Sequence, residues 1–222
     1  HGRRDRGADR RAPFLLGVGT STRQIVEDWH GRPHDPRLAA TLHRLKVLRG
    51  ALDGKRRGSF RLPVPPGQEV RVLLAALGPR MIELGLGAAD GVILNHTPPA
   101  DLPVGAEPAT VFAFCWVAVN EDAERRVRRD LTSYVMARPY AQHYIRMGFG
   151  DAVARVQALH REGRLRDAPA TLPQEMVDAF YVATEGLADR LRAYRDAGAT
   201  PIVLPVTGSN PGEDVARFLA ER

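Results

Sequence analysis

Cysteine occurs once in these 222 residues, as Cys115, so the chain cannot form an internal disulfide and a reducing, cytoplasmic setting is expected. Cys115 lies inside the apolar run from Val111 to Val119, with no basic neighbour in sequence to activate its thiol, and reads as a buried structural residue. Lysine is confined to Lys46 and Lys55, and the formal charge of +6 comes from arginine spread along the whole chain. The one dense basic cluster, Arg3, Arg4, Arg6, Arg10 and Arg11, has no aromatic residue interleaved to stack on a base, so no nucleic-acid partner is expected. No run approaches the ~18 apolar residues of a membrane span. The arginine-rich start is not followed by the apolar segment of a secretory signal, and no membrane partner is expected either. Metal-ligand spacing is also scarce. His30 and His34 are four apart, but Gly31 and Pro33 break the helix that would bring them onto one face, and no metal is expected.

What is present is a globular composition, 44% hydrophobic, arranged as strands alternating with helices. Residues 1–12 carry no apolar periodicity and read as a disordered basic tail; one domain is expected over 13–222. Phe14 to Gly19 reads as a short buried strand, and Leu38, Leu42, Leu45, Leu48 and Leu52 mark an amphipathic helix stopped by Gly54. Lys55 to Glu69, rich in Gly, Pro and Arg, is an insertion loop or hairpin after that helix. Val70 to Ala76, Gly91 to Asn95, Val111 to Val119 and Ile202 to Val206 complete a set of five strands. Val111 to Val119 is apolar on both faces, as in a parallel strand covered by helices. Asn120 is expected to cap the next helix. Thr171-x-x-Gln174 is expected to form a capping box for a helix from Pro173 to Tyr181, and Thr184 to cap the helix that ends at Gly198. This alternation predicts a parallel α/β sheet, either part of a barrel or a doubly wound open sheet.

Chemistry concentrates at strand ends. Leu16-Gly17-Val18-Gly19-Thr20-Ser21 lacks the third glycine of a dinucleotide fingerprint, but it offers backbone N–H groups and two hydroxyls that a ring or phosphate can approach closely. Leu77-Gly78-Pro79-Arg80 joins a strand to a helix N-terminus, where free N–H groups, the helix dipole and a guanidinium favour an anion. Asn95 and His96 end a third strand, on the side where barrel enzymes build their sites.

Taken together, Leu16 to Ser21, Ile25-Val26-x-x-Trp29-x-Gly31-x-Pro33, Ala75 to Met81, Ala89 to Asn95 and Leu191-x-x-Tyr194-x-x-Ala197-Gly198 resemble the luciferase-like monooxygenase superfamily, in its branch that uses the deazaflavin coenzyme F420. The resemblance implies an incomplete TIM (β/α)8 barrel comprising strands four to eight, without the first three strand-helix units. It places Gly19, Thr20 and Ser21 after strand four, Leu77, Gly78, Pro79 and Arg80 after strand five, and Asn95 at the end of strand six, all as cofactor-binding residues. Trp29 and His96 are implied to contact the ring or substrate. No residue matches the family's catalytic positions in the absent strands, and the usual Gly-Thr/Ser-Pro-Glu is replaced by Ala183-Thr184-Glu185-Gly186.

The activity this implies is hydride transfer, to or from a small-molecule substrate, by an F420-dependent oxidoreductase, with FMN as the alternative cofactor. The rival is a non-catalytic, flavin-binding or scaffolding remnant of the same barrel. A homodimer, or a partner that supplies the missing strands, is expected to cover the open sheet.

Overall fold

The structure is a computed structural model that describes residues 13–220 except Pro36, Pro65, Val104, Ala106, Pro108 and Ala109. The basic tail over 1–12 lies outside the described residues. The chain forms two compact units: one takes in the residues up to Ala75 and Arg80–Val92, the other Ala76–Pro79 and everything from Ile93 onward.

In the first unit, β1 (Phe14–Val18) pairs in parallel with β2 (Val70–Ala76), from Phe14 opposite Val70 to Val18 opposite Leu74. Helix α1 (Leu38–Leu52) follows the leucine spacing, and Gly54, at φ 72°, provides the left-handed residue that ends it. Helix α2 (Pro79–Ala88) begins with proline in its first turn. Leu45, Val72 and Leu74 form the buried centre of this unit, with Val18, Leu48, Leu52, Met81 and Leu84 packed around them. The Lys55–Glu69 segment is an excursion with a single antiparallel bridge between Arg57 and Phe60. One carboxylate ties the layers: Asp90 pairs with the Arg49 guanidinium and accepts from Val72 N–H at 2.7 Å.

β3 (Val92–Leu94) carries the chain into the second unit. There β4 (Val111–Ala118) is buried on both faces, Cys115 included, and pairs in parallel with β5 (Tyr181–Ala183) on one side and β6 (Thr200–Val206) on the other. Helices α3 (Glu121–Met136), α4 (Arg138–Arg146), α5 (Gly150–Arg161), α6 (Gln174–Phe180), α7 (Leu187–Asp196) and α8 (Pro211–Ala220) complete it. Val127, Leu131 and Val135 of α3 fall at helical spacing and, with Tyr144, Val156 and Met176, form its fully buried core. Asn120 caps α3 as expected, its Oδ1 accepting from Ala123 N–H at 2.9 Å.

Four local expectations are corrected. The strand expected to be buried over Phe14 to Gly19 is largely exposed, since β1 stands at the end of the strand order with β2 as its one strand neighbour among the described residues. Tyr181 to Ala183 is a sixth strand, not the end of a helix, because pairing with Trp116–Ala118 satisfies its backbone. Thr171 does not cap α6: its hydroxyl donates to the Ala168 carbonyl at 2.9 Å and Pro173 takes the cap position, while the Gln174 amide turns to Asp178. Thr184 opens a short 3-10 turn, and α7 starts after Gly186 without a side-chain cap. Among the described residues, no helix is long and apolar enough to cross a membrane.

Candidate functional site

The residues singled out from the sequence divide between the units. Gly19, Thr20, Ser21, Trp29 and Arg80 belong to the first, and Leu77, Gly78, Pro79, Asn95 and His96 to the second.

In the first unit, the turn after β1 packs tightly on β2: a Cβ at Gly19 would lie 3.1 Å from the Cβ of Ala75. Thr20 is half-buried, and exposed Ser21 holds φ 58°. Trp29 ends a π-helical turn and is 71% exposed. Arg80 is exposed and has no ion pair with any described residue.

The second unit holds the more ordered constellation. Asn95 leaves β3 with its amide fixed on both sides, Oδ1 accepting from the Trp116 indole N–H at 2.7 Å and Nδ2 donating to the Tyr140 hydroxyl at 2.8 Å. The Tyr134 hydroxyl also bonds to this side chain, which opposes the upward shift that burial gives the Tyr134 phenol. At the turn after β2, the Arg146 guanidinium lies 3.5 Å from the Leu77 carbonyl and 3.5 Å from where a Gly78 Cβ would stand.

His96, expected at a ring or substrate, is instead 1% exposed and packed among the protein's own rings. Its ring is near-parallel to those of Tyr144 and Phe180, which are themselves neighbours at 5.0 Å, and edge-on to Tyr134 at 4.6 Å. Burial, with the neighbouring charge of His143, pushes its pKa down to about 3, so the imidazole is neutral at physiological pH. A neutral ring has one acceptor and one donor nitrogen. Nδ1 shares a hydrogen bond with the Tyr144 hydroxyl, and Nε2 faces the Tyr181 hydroxyl at 3.4 Å. The backbone at His96 is equally constrained, with φ 48°, its carbonyl accepting from His143 Nε2–H at 2.6 Å. Ser21 and His96 are the two non-glycine residues with positive φ among the described residues, and both ends of strands had been marked from the sequence.

The sequence reading missed α4. Its Tyr140, His143, Tyr144 and Arg146 supply the partners of Asn95, of His96 and of the Leu77 turn. The available signal was Arg138-Pro139 as a helix start followed by Tyr140, His143 and Tyr144 at i, i+3, i+4 in an aromatic-poor chain. Among the described residues, no group of three or more His, Cys, Asp or Glu side chains is placed to hold a metal ion.

Known proteins share the fold. The chain is 22% identical over 254 residues to a protein of Mycobacterium tuberculosis named for coenzyme F420-dependent oxidoreductase activity, covering 92% of this chain and 73% of that one. Its fold matches the coenzyme F420-dependent tetrahydromethanopterin reductase of Methanopyrus kandleri, with a TM-score of 0.64 at 15% identity over 90% of this chain and 71% of that one. It also matches an F420-dependent secondary alcohol dehydrogenase, with a TM-score of 0.62 at 16% identity over 91% of this chain and 66% of that one. The luciferase-like monooxygenase pattern covers residues 14–201. With its parallel strands and interleaved helices forming an incomplete (β/α)8 barrel, the chain belongs to the luciferase-like monooxygenase family.

Proposed function

We propose that the chain binds the deazaflavin coenzyme F420 and takes part in hydride transfer to or from a small organic substrate. The observation that carries this is the half-buried Asn95 amide, held in a fixed orientation by Trp116 and Tyr140 at the end of β3, as recognition of a ring carbonyl or ring N–H requires. The names of the relatives support F420 over FMN. The chain's own residues fit such a ligand. Gly78 presents no side chain, Leu77, Gly78 and Pro79 form the turn assigned to its phosphate, and the Arg80 charge is unpaired among the described residues. Taken by itself, the first unit keeps backbone and hydroxyl donors at Gly19, Thr20 and Ser21 after β1, and Trp29 is exposed there. The bound coenzyme would supply the hydride. The protein's part is to orient the ring and exclude water from it.

The rival reading is a non-catalytic member of the family. It is favoured by one observation: Phe14 and Leu15 of β1 are 53% and 41% exposed, although they belong to a strand type that is covered in a closed barrel. The same exposure supports the proposal that a second copy, or a partner chain, packs on this strand.

Titration with oxidised F420, FMN and riboflavin, followed by ligand fluorescence, tests the proposal. Saturable binding of F420 in preference to riboflavin is expected, and Arg80→Ala should weaken it by about 1–3 kcal/mol, the range for a hydrogen bond to a charged group. Absence of binding to all three would overturn the cofactor reading. Binding without hydride transfer to any carbonyl or alkene substrate would favour the rival. Sedimentation across micromolar concentrations tests the assembly; a stable, cooperatively folding monomer would remove it.

A further inference from the structure

Helix α3 carries Arg125, Arg126, Arg128 and Arg129, and the four are not equivalent. Arg125 pairs with Asp122 one turn earlier, and Arg128 donates to the Leu172 carbonyl at 2.9 Å and to the Gln174 side chain. Both are thereby engaged. Exposed Arg126 reaches Asp130 only at 3.8 Å, and exposed Arg129 forms no ion pair among the described residues, although the same carboxylate feels its charge. Burial pushes the Asp130 carboxyl above its ordinary range, and the two guanidiniums draw it back. Two cations therefore share one half-buried carboxylate, which leaves a positive charge over.

Arg126 and Arg129 border a cavity of about 240 Å³ whose remaining walls are Asp122, Asp130, Gly208 and Ser209. Two distant parts of the chain build it. Ala118 of β4 stands beside Val206 of β6 in parallel register, so α3 and the Gly208 turn leave the sheet side by side, at the carboxyl ends of their strands. Ligands of α/β sheets bind at these ends. The walls are tied together. Asp214 of α8 accepts from Gly208 N–H at 2.7 Å and from the Asn120 amide at 2.8 Å, and Asp122 accepts from the Ser209 hydroxyl at 2.9 Å. A Cβ at Gly208 would lie 2.5 Å from that of Asp122, so glycine is what lets this turn approach α3 so closely. With Asp122 committed to Ser209 and Arg125, the groups left to meet a ligand are the guanidiniums of Arg126 and Arg129.

The cavity also leads towards Asn95. Asp130 precedes Tyr134 by one turn, about 6 Å along the helix, and its charge acts on the Tyr134 phenol, whose hydroxyl bonds to Asn95.

We propose that Arg126 and Arg129 bind an oxyanion, a carboxylate or phosphate, as the anchoring group of the small organic substrate. The anchoring role rests on the hydride-transfer reading; the oxyanion site stands without it. A guanidinium presents paired N–H donors whose spacing matches two oxygens of either group. The volume suits such a group with a few carbons, whereas sites for whole ligands run to ~300–1,000 Å³. The reacting part of the substrate must then extend out of the cavity, towards the ring held at Asn95. Fixing one end of a molecule in this way orients the other.

The test uses the full chain labelled with ¹⁵N-arginine, titrated with inorganic phosphate and separately with acetate, at an ionic strength held constant with sodium chloride. Arginine Nε–H resonances are the readout, assigned by their loss in Arg126→Gln and Arg129→Gln. In the wild type both resonances should shift saturably with at least one of the two oxyanions, and the one bound more tightly identifies the group. Either substitution should raise its dissociation constant at least tenfold. Arg192→Gln, which removes an equal charge from the Asp189 pair on α7, should leave it unchanged. Shifts that chloride reproduces, or affinity that survives both substitutions, overturn the site. Addition of F420 then tests the anchoring role. Simultaneous binding supports it, and displacement of the oxyanion by F420 assigns the site to the coenzyme's own phosphate and overturns it. Oxyanion binding without any deazaflavin binding removes the hydride-transfer reading and the anchoring role with it, and leaves the site.

Discussion

The buried imidazole of His143 donates from Nε2 to the backbone carbonyl of His96, 2.6 Å away, so that one histidine fixes the main chain of the other. Both are held below their ordinary pKa, His96 by burial and by the charge of His143, and His143 chiefly by burial, with the His96 carbonyl opposing. The unfolded chain protonates His96 near the ordinary value of 6.5, whereas the folded chain resists until about 3. Between those limits the unfolded state binds more protons. The contribution of His96 to stability is therefore complete above about pH 6.5 and is lost progressively as pH falls towards 3, an effect on the order of a few kcal/mol. Denaturant unfolding between neutral pH and about pH 5, above the main carboxylate range, should show this decline. His96→Gln should be less stable at neutral pH but flatter across the window; an equally steep slope would assign the effect elsewhere.

Asn95 gives a second prediction. Asn95→Leu leaves the Trp116 indole N–H and the Tyr140 hydroxyl without their partner, and because the site is half-buried a loss of about 1–2 kcal/mol is expected. Asn95→Asp should cost less, since a carboxylate can accept from the indole while the phenol turns to donate to it. Trp29 and Trp116 are the only tryptophans, and Trp29 is solvent-exposed, so a shift of buried indole emission in Asn95→Leu reports on Trp116 directly. Identical stability of the two variants would mean that these bonds contribute nothing.

These two residues also mark how far the sequence could be read. The place of Asn95 at a strand end was legible because the apolar run Gly91 to Leu94 ends on it. The neighbouring His96 was not, because its environment is assembled from Tyr144 and Tyr181, 48 and 85 residues further along, and no local pattern encodes that distance. The break at Ala137 that separates α3 from α4 was legible in Pro139, but the length of α3 masked it. Tyr181 to Ala183 could not be read as a strand at all: three residues carry no period, and the pairing with β4 decides their conformation. The glycines at Gly19 and Gly78 were legible as strand-end turns, whereas the close approach of Ala75 to the first and of the α4 arginine to the second was invisible in sequence.

Two glycines of α2 should respond oppositely to the same substitution. At Gly87 an added Cβ meets nothing within 4 Å, so Gly87→Ala should stabilise by about 0.5–1 kcal/mol through helix propensity alone. At Gly85 the added Cβ would lie 2.4 Å from Val92 Cγ1 and 3.2 Å from Leu74 Cβ. Valine has little rotameric freedom with which to retreat, and overpacking costs about 1–3 kcal/mol, enough to cancel the same propensity gain or reverse it. Thermal unfolding of the two variants side by side checks this. If both rise equally, α2 does not approach Val92 and Leu74 closely.

The last prediction concerns Asp90, whose carboxylate performs two jobs in the first unit. It pairs with the Arg49 guanidinium from α1, and the same oxygen accepts the backbone N–H of Val72 at 2.7 Å, while Asp90 N–H donates to the Val72 carbonyl at 2.8 Å. Val72 is 2% exposed, so its N–H has no access to water if the carboxylate is removed, and leaving such a donor unpaired costs about 1–3 kcal/mol. The ion pair is different in kind. Its side chains are 36% and 33% exposed, so screening by solvent limits its worth to about 0.5–1 kcal/mol. Asp90→Asn removes the charge but keeps an oxygen for Val72, whereas Asp90→Ala removes both. Asp90→Ala should therefore be clearly the more destabilised of the two, and the difference between them should survive added salt, because it rests on a buried backbone hydrogen bond. The small loss in Asp90→Asn should shrink as salt rises. Chemical denaturation of the three proteins in urea at low and high sodium chloride separates these terms. Equal destabilisation of both variants would show that the ion pair, not the backbone bond, holds α1 and β2 together.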